Sequence, residues 1–254
     1  FTRIVANSTT FWLLTDLARP ERLFTFSSHS MSWQALVDVG FWQNNIVTED
    51  SRIFLQCFIK YNGQYQTEPM HVPVSMNSPY VGSFWSSMVN QYRQMRRWAW
   101  GVEHFPYMVW RFAKNKKIPL KKKIVYIWNQ TEGVYSWSTA PLIILLMGQL
   151  PLFVAEMRGM SSVLTQNAPF VLQVLMTSGM LGLLMIAAMS IVILPPMPDK
   201  KRYKHFKLVR YALVFLQWIV FPITMIVFGS IPAVDAQTRL MLGKYMGFNV
   251  TQKK

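Results

Sequence analysis

The sequence predicts an α/β cytosolic part, followed by interfacial helices and about three transmembrane α-helices. Three observations carry this prediction. Residues 1–100 are mixed in composition and broken by the turn signals "ARPER", "YNG" and "NSP". Ten Lys/Arg crowd between Arg93 and Lys123, and six more between Lys200 and Arg210. Long charge-free apolar stretches lie beside those clusters, which is where membrane proteins keep positive charge.

Taken in order, "SWQALVDVGFW" predicts a short helix that ends near Gly40. "NNIVTED" reads as a loop and a strand end. From Ser51 onward, Ile53, Phe54, Cys57, Phe58 and Tyr61 recur at helical spacing. "YQTEPMHVPVS" reads as extended, because Pro69 and Pro73 exclude a helix interior. "SFWSSMVNQYRQMRRWAWG" is again a helix, stopped by Gly101. Residues 1–100 thus form a cytosolic region, 101–133 basic interfacial helices, and 134–254 a membrane region with an amphipathic tail.

The expected spans lie near 135–155, 169–195 and 211–233. Crossing ~30 Å of hydrocarbon takes roughly 20 residues, and each charge-free stretch is that long. Tyr135, Trp137 and Tyr211 sit near the ends as interfacial aromatics, and Pro141, Pro151 and Pro222 are tolerated in spanning helices. The positive-inside rule puts 1–133 and 197–210 in the cytoplasm of an integral membrane protein of the bacterial inner or plasma membrane. Parity over three spans puts the tail on the far side, whereas its four basic residues favour the cytoplasmic side, and both placements stay open. Leu240, Met241, Tyr245 and Met246 have helical spacing, so the tail can lie flat on a bilayer.

Composition excludes several classes. At 52% hydrophobic and 15% charged, the chain is too apolar for an ordinary soluble domain. Its net charge of +15 sits beside the apolar runs, so it argues for a lipid bilayer and not for a nucleic-acid partner. The single cysteine, Cys57, cannot form an intrachain disulfide, and among Phe54, Phe58 and Ile59 it reads as a buried, inert thiol. His71, His104 and His205 are scattered without ligand spacing. No phosphate-binding glycine loop or nucleophile elbow is present. The chain begins with Phe1, shows no signal peptide and reads as the back part of something longer.

Two short motifs carry chemistry. Thr48-Glu49-Asp50 opens the helix after the loop. One reading makes Thr48 an N-cap, with Glu49 and Asp50 complementing the helix dipole. The other makes Asp50 a general base: a sugar hydroxyl is a poor nucleophile until a positioned carboxylate takes its proton. In the second motif, Gln94, Arg97 and Trp98 stand at i, i+3 and i+4, so they share one helix face. A guanidinium there can pair with a diphosphate, and an indole can lie against a sugar ring. The alternative is an interfacial anchor, with Trp and Arg at headgroup level.

In combination, Thr48-Glu49-Asp50 and Gln94-Met95-Arg96-Arg97-Trp98, followed by basic helices and spans, resemble the processive family 2 glycosyltransferases, such as cellulose synthase and hyaluronan synthase. The resemblance covers roughly residues 20–135. It implies a GT-A-type domain and an inverting hexosyltransferase. The donor would be a nucleotide-sugar, and the acceptor a glycan or a lipid-linked sugar. It makes Asp50 the base beside Glu49 and Thr48, and sets Gln94, Arg97 and Trp98 at the donor diphosphate and the acceptor end. Ser28 and His29, in "FTFSSHS", fall where many members carry an acceptor loop, but the loop glycine is missing here. The resemblance also implies a divalent metal, Mg²⁺ or Mn²⁺. No ligands for it stand in this chain, where Asp16 and Asp38 are isolated, so the chain reads as the C-terminal part of an enzyme whose metal ligands lie upstream. The alternative is a non-catalytic membrane anchor or transporter subunit. Against it, the expected spans hold no ionisable residue.

Overall fold

The structure is a computed structural model, and it describes residues 18–25, 29–70, 80–147, 150–159, 163–192 and 207–247. Among the described residues every regular element is helical, which corrects the α/β expectation. The helices are α1 Trp33–Asp38, α2 Glu49–Lys60, α3 Phe84–Ala99, α4 His104–Lys114, α5 Leu120–Met147, α6 Leu150–Met157, α7 Val163–Val192, α8 Lys207–Leu216, α9 Phe221–Met225 and α10 Ile231–Met241. "NNIVTED" turns directly into α2 and forms no strand. The part of "YQTEPMHVPVS" that is described, up to Met70, is irregular. A proline offers no N–H to a ladder, so Pro69 and Pro73 disfavour a strand there as firmly as a helix.

The chain divides into two units, Phe1–Thr15 with Ala140–Ile226, and Asp16–Thr139 with Val227–Lys254. In the second unit, Phe54, Leu55 and Phe58 of α2 are buried with Met108 and Phe112 of α4, Ile118, and Tyr126 of α5. Burying each such phenylalanine contributes about 1.5–3 kcal/mol. The ring centroids of Phe58 and Tyr126 lie 4.3 Å apart, and those of Phe54 and Phe24 4.7 Å. Cys57 is fully buried beside them, and burial pushes its thiol up to about 11, as expected of an inert thiol. The helix ends in the "YNG" turn, where Asn62 (φ 53°) and Gly63 (φ 84°) are left-handed and the Gly63 N–H donates to the Phe58 carbonyl at 2.7 Å. Lys122 Nζ donates to the Gly63 carbonyl at 2.7 Å, tying α5 to that turn.

α3 ends at Ala99, two residues before Gly101, and a 3₁₀ turn, Trp100–Glu103, links it to α4. The C-terminal α10 packs on α3 and on this turn: Ala233 and Ala236 are buried with Ala99 and Trp100. Gln237 Nε2 donates to the Val134 carbonyl at 3.1 Å, and Tyr245 Oη–H to the Asn45 carbonyl at 3.1 Å.

In the first unit, Ala187 of α7 and Trp218 are buried together, with Leu183, Ile186 and Phe221 against them. One described helical run, Tyr211–Met241, is long and apolar enough to cross a membrane, by length and composition; Thr177–Met189 is apolar but shorter. This corrects the three expected spans. The charge-free stretch over 135–155 falls on two described helices, α5 and α6, and α5 begins with Lys121–Lys123 and carries Glu132. A charge-free composition is not a continuous apolar helix, and only the latter can cross hydrocarbon. Val227–Lys254 shares a unit with Asp16–Thr139.

Candidate active site

The site is built on the first turn of α2. Thr48 stands at the N-cap, but its side chain makes no cap hydrogen bond. Its hydroxyl instead donates to Glu103 Oε1 at 2.6 Å. The first-turn N–H of Ser51, which has no partner inside a helix, donates to Asp50 Oδ1 at 2.9 Å. Glu49 and Asp50 therefore stand half-buried at the positive end of the helix dipole, and Thr48 is buried beneath them. Thr25 Oγ1–H donates to the Asp50 carbonyl at 2.6 Å, so the chain leading into "FSSHS" is fastened to the same turn. Ser28 lies outside the described residues. His29 is half-buried, with its ring 6.1 Å from that of Trp42.

The second motif lies on α3, whose N-cap Ser83 accepts from the Ser86 N–H at 3.2 Å. Gln91, Gln94 and Met95 are buried, Arg97 is half-buried, and Trp98 is exposed. Gln94 Oε1 and Gln91 Nε2 are buried with no hydrogen-bond partner among the described residues. Arg96 Nη1 donates to Asp235 Oδ2 of α10 at 2.8 Å, and Asp235 Oδ1 also accepts from Arg239 Nε at 2.6 Å.

The two motifs meet. Val47, just before Thr48, is buried with Ala99 and Trp100, just after Trp98. Thr48 reaches Glu103, and Trp100 Nε1–H donates to the other oxygen of that carboxylate at 3.0 Å. Next to Glu103, His104 is 3% exposed; its Nδ1 accepts from Arg52 Nε at 3.0 Å, and its Nε2 lies 2.8 Å from Ser51 Oγ. Burial, and then the Arg52 guanidinium, hold the imidazole well down, at about 3, so it is neutral at pH 7. Burial also pushes Arg52 down, against the pull of Glu103, and the guanidinium lies 3.9 Å from the centroid of the Tyr107 ring.

Sequence reasoning missed Gln91, Glu103 and His104 as members of this constellation, and Arg52 with them. The signal for Gln91 was its spacing, one turn before Gln94 on the same face. Arg52 and His104 each interrupt an apolar helix face, and polar groups buried there need partners. No group of three or more His, Cys, Asp or Glu that could hold a metal ion occurs among the described residues. Asp38 is engaged by the Tyr61 hydroxyl at 2.6 Å and Gln34 Nε2 at 2.7 Å. These residues do not fit the divalent ion that the resemblance implies.

The fold thus joins the carboxylates at the N-terminus of α2 to the end of the helix that carries Arg97 and Trp98. The chain belongs to glycosyl transferase family group 2, whose family model matches residues 23–231. That match covers most of the chain, so the glycosyltransferase region is not the C-terminal remnant over residues 1–100 that the sequence suggests. Neither the curated proteins nor the solved structures yield a match.

Proposed function

We propose that this chain transfers a hexose from a nucleotide-sugar to a hydroxyl of a glycan or lipid-linked acceptor, with inversion, as part of membrane-attached polysaccharide synthesis. The observation that carries this reading is the fastening of the Thr48–Asp50 turn to the end of the Gln94–Trp98 helix through Val47, Trp100 and Glu103. Asp50 takes the acceptor hydroxyl proton as that oxygen attacks the anomeric carbon. The bond from that carbon to the diphosphate oxygen breaks, and the nucleoside diphosphate leaves with the electron pair. Arg97 meets the growing negative charge through its planar fork. Gln94 Oε1, a buried acceptor without a partner among the described residues, suits a sugar hydroxyl, and the exposed Trp98 suits a sugar ring. Thr48 and Glu49 hold and flank the base, and Ser28 and His29 belong to the acceptor side.

The reading places the side chains that bind nucleotide and metal outside the described residues, and no step is routed through a metal. In this reading the bilayer attachment falls to the part of the apolar run Tyr211–Met241 that precedes α10. The test is Asp50→Asn in the full-length protein, assayed as incorporation from radiolabelled UDP-, GDP- and dTDP-hexoses in isolated membranes. Loss of the general base lowers turnover by about 10²–10⁴-fold. Near-normal incorporation by Asp50→Asn in amounts equal to wild type refutes the assignment.

A further inference from the structure

The turn that carries Asp50 is held on both sides by two consecutive residues from another part of the chain. On one side, Glu103 takes the Thr48 hydroxyl on Oε1 at 2.6 Å and the Trp100 indole N–H on Oε2 at 3.0 Å. On the other side, His104 holds Ser51. Arg52 Nε donates to His104 Nδ1, so the neutral ring carries its proton on Nε2 and donates it to Ser51 Oγ at 2.8 Å. Arg52 closes the arrangement by donating through Nη2 to the Glu103 carbonyl at 3.2 Å. Ser51 then has its own hydroxyl proton to offer, and the acceptors within reach are the Thr48 carbonyl at 3.4 Å and Asp50 Oδ1 at 3.5 Å. Thr48 and Ser51 bracket Glu49 and Asp50, so the turn that carries the carboxylates is held at both ends.

We propose that Glu103 and His104 are positioning residues, which lock the Asp50 turn in register with the helix that carries Gln94, Arg97 and Trp98. The proposal rests on reading Asp50 as the general base. The register matters because a base acts only within about 2.6–3.2 Å of the proton it takes. Glu103 and His104 are well placed for this, since they follow Trp98 by one short 3₁₀ turn and report the position of α3 directly. A filler role for them predicts less folded protein with unchanged turnover. A positioning role predicts normal donor binding with slow chemistry.

The experiment uses the full-length protein in detergent, with folded monodisperse material quantified by size exclusion and the same labelled nucleotide-hexose panel as donor. Glu103→Gln leaves one of the two donors without a carboxylate oxygen. His104→Leu removes both ring nitrogens, whereas His104→Gln keeps an N–H for Ser51. Glu103→Gln and His104→Leu lower kcat by about 10²-fold, the cost of a misplacement near 1 Å, while KM for the donor stays within about twofold. His104→Gln restores most of the loss. Ser51→Ala, a small change at a half-buried position, lowers kcat in the same sense and guards against a failure of the others to fold. Asp50→Asn is run beside them. If it retains activity, the reading of Asp50 fails. If it is inactive while Glu103→Gln and Ser51→Ala turn over at the wild-type kcat, the positioning proposal alone is overturned.

Discussion

His104 makes the protein acid-sensitive in a defined window. The imidazole is 3% exposed, hydrogen-bonded on both nitrogens, and held at about 3 against an ordinary 6.5 by burial and the Arg52 charge. Between those two values the unfolded chain binds a proton at this position and the folded chain does not. Stability is therefore present in full above 6.5, falls as the pH drops below it, and levels off below about 3. Lowering the pH from about 7 to about 5 costs about 2 kcal/mol through this group alone. For a chain of this size that is a fall in Tm of about 4–8 °C. The assay is thermal unfolding of the detergent-solubilised protein at both pH values, for wild type and His104→Gln. Other carboxylates also respond to acid, so the informative quantity is the difference between the two proteins: the variant loses about 2 kcal/mol less than wild type. Equal acid slopes in the two refute the reasoning.

Two more outcomes follow from the same geometry. Arg97→Lys lowers sugar incorporation in membranes by about 10²-fold, because an ammonium cannot reproduce paired bonds to a diphosphate, whereas Arg93→Lys, at an exposed position on the same helix, is silent. Arg96 is unsuited as that control, because it pairs with Asp235; equal activity of the Arg97 and Arg93 variants returns α3 to an interfacial anchor. Topology is read with single cysteines at Lys117 and Lys244, both exposed, in a Cys57→Ser background. The two respond alike to an impermeant thiol reagent in intact cells, and labelling at one position only breaks the single unit that contains them.

What was legible in the sequence is what depends on near neighbours. The "SWQALVDVGFW" pattern, the apolar spacing from Ile53 to Tyr61 and the YNG turn placed α1, α2 and its end close to where they stand. Thr48 was legible as an N-cap by position, but its hydroxyl is spent on Glu103, a partner 55 residues away. The span expected over 135–155 took absence of charge for a continuous apolar helix, whereas α5 carries Lys121–Lys123 and Glu132. The docking of α10 on α3 was not legible at all. It rests on two alanines and on Asp235, 139 residues from Arg96, and no local period announces such a pairing. The candidate site was half legible: the motif residues were, but the groups that hold them were not, since Glu103 and His104 gain meaning only from Thr48, Ser51 and Arg52.

The docking of α10 also has a consequence for biosynthesis. A ribosome releases the chain from its N-terminal end, so the Thr48 turn and the Gln94–Trp98 helix emerge long before Ile231. Until then Ala99, Trp100 and Arg96 lack the surface that covers them: Ala233, Ala236 and Asp235, with the Tyr245 ring edge-on to Trp100 at 5.9 Å. Residues 140–226 must be made first, and the closure of so long a loop is slow relative to local helix formation. The helix that carries Gln94, Arg97 and Trp98 is thus synthesised well before α10 and reaches its final packing only after it. A chain truncated before residue 231 emerges with both motifs intact and one wall of their support missing.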